Sequence, residues 1–111
     1  MVREIKQRVL KLYVDGKGKA PFSEWLKSLK DAVARNRIRA RLDRLELGNF
    51  GDCESVGSGV YELRMFFGSG YRVYLAEDGD TIIILLSGGD KDSQNRDIKK
   101  AKEYWQDYLK R

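Results

Sequence analysis

Between residues 4 and 14 the chain reads EIKQRVLKLYV, where β-branched and aromatic side chains alternate roughly with charges. That period of two predicts a first strand, closed by the turn sequence DGKGK. The period then lengthens. In KAPFSEWLKSL, Phe22, Trp25, Leu26 and Leu29 fall at the i, i+3, i+4, i+7 spacing of a buried helical stripe, and Pro21 stands where a first helical turn tolerates it. From Asp31 to Leu47 a second stripe runs through Ala34, Ile38, Leu42 and Leu45. Arg37, Arg41 and Arg44 fall along one flank of it, and Gly48 ends the helix.

Gly48 to Gly59 is glycine-rich and aperiodic, which predicts a surface loop. Three strands are expected next, at about Val60 to Phe67, Tyr71 to Ala76 and Thr81 to Ser87. The Asp-Gly of AEDGD supplies the positive φ of a tight turn, and TIIILLS, apolar on both faces, belongs inside the sheet. In DSQNRDIKKAKEYWQDYLKR a third helix is expected, capped by Asp92 or Ser93 and buried through Ile98, Ala101, Trp105 and Tyr108, with Tyr104 alongside. The order β-α-α-β-β-β-α defines an α+β fold, with helices packed on a mainly antiparallel four-stranded sheet.

The segment GVYELRMFFGSGYRVYLAEDGD holds Arg64 and Arg72 in one hairpin. If Gly68, Ser69 and Gly70 form a three-residue loop, Met65 pairs with Val73 and Leu63 with Leu75, so one face is wholly apolar. The other face then carries Glu62, Arg64 and Phe66 across from Ala76, Tyr74 and Arg72. A two-residue loop would mix charge into the apolar side, at a cost in desolvation. In the favoured register the two arginines are diagonal neighbours about 7–8 Å apart, and a phosphate fits between them. Neutralisation of both by Glu62 and loop carboxylates is an equally good account.

The 111 residues, 41 % of them hydrophobic, suit one domain spanning 1–111 with a real core. A single cysteine, Cys53, implies a reducing compartment. The N-terminus offers no signal-peptide core and no apolar run reaches the about eighteen residues of a membrane span, so a cytoplasmic protein is expected. The net charge of +5 is unevenly spread: +7 over residues 1–47, −5 over 48–90 and +3 over 91–111. A polyanionic or acidic partner fits that distribution, and so do solvated helix faces.

There is no histidine, so the usual zinc sites, Ser-His-Asp triads and Cys-His pairs have no candidates. Neither GSG nor SGG has P-loop spacing, and Asp78-Gly79-Asp80 suits a turn better than a cation; no cofactor and no metal are expected. RNA scission stays open to such a chain. A 2′-hydroxyl can attack the adjacent phosphate when Arg and Lys stabilise the added charge and the strand is held in line. Lys91, in the GGDKDSQ loop whose glycines allow unusual backbone angles, offers a third cation or a general acid, and Lys91, Glu62 or Tyr74 could take the 2′ proton.

The run from Gly59 to Trp105, with ELR, GYRVY and LLSGGDK, and ARLDRLELGNFGD upstream of it, resembles the RelE/ParE superfamily of type II toxin–antitoxin toxins. Within it the likeness is to phage Gp49-like, HigB-type addiction-module killer proteins, from about Phe22 onward. The resemblance implies a cognate antitoxin, often of helix-turn-helix type, and cleavage of mRNA on the translating ribosome. It gives Arg72 of GYR the phosphate-stabilising role, makes Arg64 of ELR a looser match to basic residues of the preceding strand, and puts Lys91 in the active-site loop. Arg37, Arg41 and Arg44 on the basic helix flank, together with Tyr74, are the expected RNA contacts, and for the three arginines an acidic antitoxin segment or simple helix solubility is an equally good account. The chain lacks a counterpart to the tyrosine that RelE carries near its C-terminus, and the histidines of some HigB relatives. Two other functions compete: a ParE-like inhibitor that binds DNA gyrase without cleaving, and a nucleic-acid-binding module without toxicity.

Overall fold

The computed structural model describes residues 6–111. The chain runs β1 (Val9–Leu12), α1 (Pro21–Ser28), α2 (Ala32–Glu46), β2 (Cys53–Gly57), β3 (Val60–Arg64), β4 (Arg72–Asp78), β5 (Ile82–Gly89), a 3-10 turn (Lys91–Ser93) and α3 (Gln94–Leu109). Residues 4 and 5 of the expected first strand lie outside the described residues. The five strands lie in the order β1-β5-β4-β3-β2; β1 runs parallel to β5 and the other neighbours are antiparallel.

The sheet is therefore mixed and five-stranded, not four-stranded, and the extra strand is β2 in the stretch expected to be loop. Its side chains are half-buried or exposed, so no apolar period marks it. What makes it a strand is the turn that follows, where Gly57, Ser58 and Gly59 all take positive φ and fold the chain back onto β3. On the far side of the sheet, β5 sits between β1 and β4, as its two apolar faces predict.

Helices cover both faces. One core joins Phe22 of α1 and Ile38, Leu42 and Leu45 of α2 to Leu63, Val73, Leu75, Ile83 and Leu85. The other packs Ala101 and Trp105 of α3 on Val60, Tyr74, Ala76, Ile84 and Leu86. Asp31 starts α2, its side chain accepting from Val33 N–H at 2.9 Å and Ala34 N–H at 3.3 Å. Ser93 stands at the N-cap of α3 as expected, though its side chain makes no cap bond; Asp90 caps the 3-10 turn ahead of it, its Oδ1 accepting from Asp92 N–H at 3.0 Å and Ser93 N–H at 3.2 Å. Gly88 and Gly89 do not have the unusual backbone angles expected of them. They are small because a Cβ would collide with the Trp25 ring at one and the Asp97 carboxylate at the other.

Among the described residues no helix is long and apolar enough to cross a membrane.

Candidate functional site

Strand register lays two rungs across the sheet. One sets Glu54 opposite Glu62, Glu62 opposite Tyr74 and Tyr74 opposite Ser87; the next sets Arg64 opposite Arg72 and Arg72 opposite Gly89. The arginines are thus direct partners, not diagonal ones. Met65 N–H bonds to the Tyr71 carbonyl at 3.0 Å, so the connection is five residues, Phe66 to Gly70, rather than three. Because that shifts the register by an even number, each side chain keeps its expected face.

Two carboxylates directly opposite each other repel, and the neighbouring rung answers them. Arg64 pairs with Glu54 through Nη2, and its Nε lies 3.6 Å from Glu62 and 3.9 Å from Asp52. Arg72 Nε lies 3.5 Å from the other Glu62 oxygen, while its Nη1 donates to the Gly70 carbonyl at 2.7 Å. That same Glu62 oxygen accepts from Tyr74 Oη at 3.1 Å and Gln94 Nε2 at 2.9 Å. Glu62 is 3 % exposed, Arg72 12 % and Arg64 26 %. The place between the guanidiniums expected to receive a phosphate is held by the Glu62 carboxylate, which α3 reaches through Gln94.

Tyr74 is wholly buried, which removes it as a surface contact for RNA. Burial first, and then the charge and hydrogen bond of Glu62, push its phenol far above the ordinary value, so it does not serve as a base. Lys91 is exposed in the 3-10 turn, with its N–H 3.3 Å from the Ser69 carbonyl. A Cβ on Gly70 would stand 3.3 Å from both Arg72 Nη1 and Lys91 Cβ. Arg64, Glu62, Arg72 and Lys91 therefore form a continuous row that ends in an exposed ammonium.

The flank of α2 meets this row at one side. Arg37, Arg41 and Arg44 line a cleft of about 480 Å³ together with Gly51, Asp52, Arg64, Phe66 and Phe67, so four arginines face one carboxylate. Arg37 and Arg44 are exposed, and the Arg37 guanidinium lies 5.2 Å from the centre of the Phe67 ring. Arg41 has a different task. It donates to the carbonyls of Arg64 at 2.7 Å, Phe50 at 3.0 Å and Asp52 at 3.1 Å, tying the α2–β2 connection to the end of β3. Burial, then the charge of Arg44, lowers its pKa. Gly51 takes φ +65° beside it, where a Cβ would stand 2.8 Å from Arg41 Nη2. The site residues that sequence reasoning missed, Asp52 and Glu54, come with β2, whose edge position leaves no periodic signal.

Residues 24–106 match the family model of phage-derived protein Gp49-like. An uncharacterised protein of Haemophilus influenzae is 52 % identical over 81 residues, covering 73 % of this chain and 82 % of that one. The chain belongs to the Gp49-like family.

Proposed function

We propose that this protein is the toxin component of a type II toxin–antitoxin module and that it blocks translation by cleaving mRNA on the ribosome. Membership of the Gp49-like family, which is of addiction-module killer type, supports the toxin role and an antitoxin partner. The observation that carries an RNA target is the cleft in which arginines of α2 and β3 face a single carboxylate, with Lys91 beyond its aromatic rim. A polyanion gains most at such a surface, because each phosphate bound releases counterions.

In this assignment Lys91 neutralises the charge that develops on the phosphate during 2′-hydroxyl attack, and Arg64, paired with Glu54 and beside Glu62 and Asp52, borders the cleft. Arg72, clamped between Glu62 and the Gly70 carbonyl, acts as a positioning residue for the Phe66–Gly70 loop, against which the turn carrying Lys91 rests through its N–H to the Ser69 carbonyl. A second function, non-enzymatic inhibition of DNA gyrase, is favoured by the closed Arg64–Glu62–Arg72 network, since an inhibitor needs a surface and no reacting group.

The test is to express the protein, map mRNA 5′ ends on translating ribosomes and repeat with Lys91→Ala and Arg44→Ala, both exposed positions. Cuts in phase with codons, lost in Lys91→Ala and weakened in Arg44→Ala, are expected. Relaxed plasmid topology with intact mRNA would instead establish the gyrase function.

A further inference from the structure

Phe66 is 81 % exposed although both of its neighbours point inward, Met65 into the core and Phe67 against it. The loop that presents it is braced. Gly68 and Gly70 take positive φ, and a Cβ on Gly68 would stand 2.8 Å from the Tyr71 ring. Gly70 N–H bonds to the Phe67 carbonyl at 3.1 Å, and Lys91 N–H to that of Ser69. An aromatic ring held in water by a fixed loop forgoes the free energy of burial.

The ring also divides two hollows. On one side is the cleft of Arg37, Arg44 and Arg64; on the other is a shallow depression of about 520 Å³ lined by Gly68, Gly70, Lys91 and Asp92. Phe66 and Phe67 line both.

Building on the RNA-directed function proposed above, we infer that Phe66 is a stacking platform for an unpaired base. The strand crosses the aromatic divide, with phosphates on one side at Arg37, Arg44 and Arg64 and on the other at Lys91. Cations on both sides of one exposed ring match the alternation of phosphate and base along a single strand, whereas a duplex keeps its base faces hidden. An acidic protein segment would use the same cations but would take Phe66 as an apolar contact without need of its π face.

The test uses the full chain and a fluorescein-labelled single-stranded octanucleotide carrying 2′-O-methyl groups, so that it cannot be cut by 2′ attack, with anisotropy as the readout. Phe66→Ala should bind about 5- to 160-fold more weakly, the span expected for one stacked base. Phe66→Trp should bind like the parent and Phe66→Leu like the alanine variant. The slope of log affinity against log salt should be unchanged in Phe66→Ala but fall by about 0.7 in Arg44→Ala. Far-UV circular dichroism of each variant should match the parent, because the altered side chain lies in solvent.

Parental affinity in Phe66→Ala, full recovery in Phe66→Leu, equal binding of a duplex, or no RNA binding by the parent would overturn the inference. The mRNA-end map separates its fate from that of the proposed function. Unchanged cuts together with unchanged affinity in Phe66→Ala would remove the platform and leave the nuclease. No cuts by the parent, with Phe66-dependent binding intact, would do the reverse.

Discussion

Arg64 and Arg72 are cross-strand partners whose guanidiniums share one carboxylate, Glu62, 3.6 Å from the first and 3.5 Å from the second. Two like charges placed opposite each other normally destabilise a sheet, and here an intervening anion reverses the sign. Glu62→Gln keeps the shape and an acceptor oxygen but removes that anion. The expected outcome is a loss of about 2 kcal/mol in urea unfolding with an unchanged m-value, since a partly buried charge pair is broken from one side. Stability within about 0.5 kcal/mol of the parent would show that the Glu62 charge does not hold the arginine pair together.

Arg41 is expected to act through structure rather than through RNA. Its guanidinium serves three carbonyls from the α2–β2 connection and the end of β3. Lysine carries the charge but not the planar fork, so Arg41→Lys should cost about 2 kcal/mol by urea unfolding. Arg44→Ala, on the same flank but exposed, should stay within about 0.5 kcal/mol of the parent. Similar losses in the two variants would contradict this division of labour.

How much of this was legible in the sequence depends on how each residue signals its place. The stripe Ala34, Ile38, Leu42 and Leu45 is buried as its spacing predicts, and Arg64 and Arg72 share a face because alternation survives any even shift of register. The pairing itself was not legible, because loop length depends on whether Phe66 and Phe67 extend the strand or leave it. β2 escaped notice because an edge strand with Glu54 and Ser55 outward has no apolar period. With it went the identities of Glu54 and Asp52, although neutralisation of the pair by Glu62 and loop carboxylates was one of the two accounts the hairpin allowed. The cover that α3 lays over Glu62 and Tyr74 depends on how the third layer packs, which no spacing within the hairpin specifies.

Stability should fall at alkaline pH through buried phenols. Burial, then the hydrogen bond to Asp107 at 2.6 Å, pushes Tyr13 up to about 12, and Tyr74 shifts further in the same direction. Below pH 10 the phenols are protonated in both folded and unfolded chains, and their contribution is complete. Above it the unfolded chain ionises first, so the contribution of Tyr13 is lost as pH rises from 10 to 12. Tyr104 and Tyr108 shift the same way. Urea unfolding at intervals across that window should show the decline, and Tyr13→Phe should flatten it by the share of one group. A pH-independent stability from 9 to 12 would contradict the assignment.

Arg72→Ala and Lys91→Ala separate structural from chemical loss along the row. Arg72 is mostly buried, pairs with Glu62 and holds the Gly70 carbonyl, so its removal should cost about 1–2 kcal/mol and loosen the loop beneath Lys91. Lys91 is exposed, and its alanine variant should unfold within about 0.5 kcal/mol of the parent. If the proposed nuclease chemistry is correct, both should abolish growth arrest on expression, but only Arg72→Ala should also show a lower urea midpoint. Arg72→Lys should then recover part of the stability, without the fork that reaches Glu62 and the Gly70 carbonyl together, and little of the toxicity. A Lys91→Ala variant that arrests growth as the parent does, at equal soluble level, would take Lys91 out of the reaction and leave the α2 cleft as a binding surface alone.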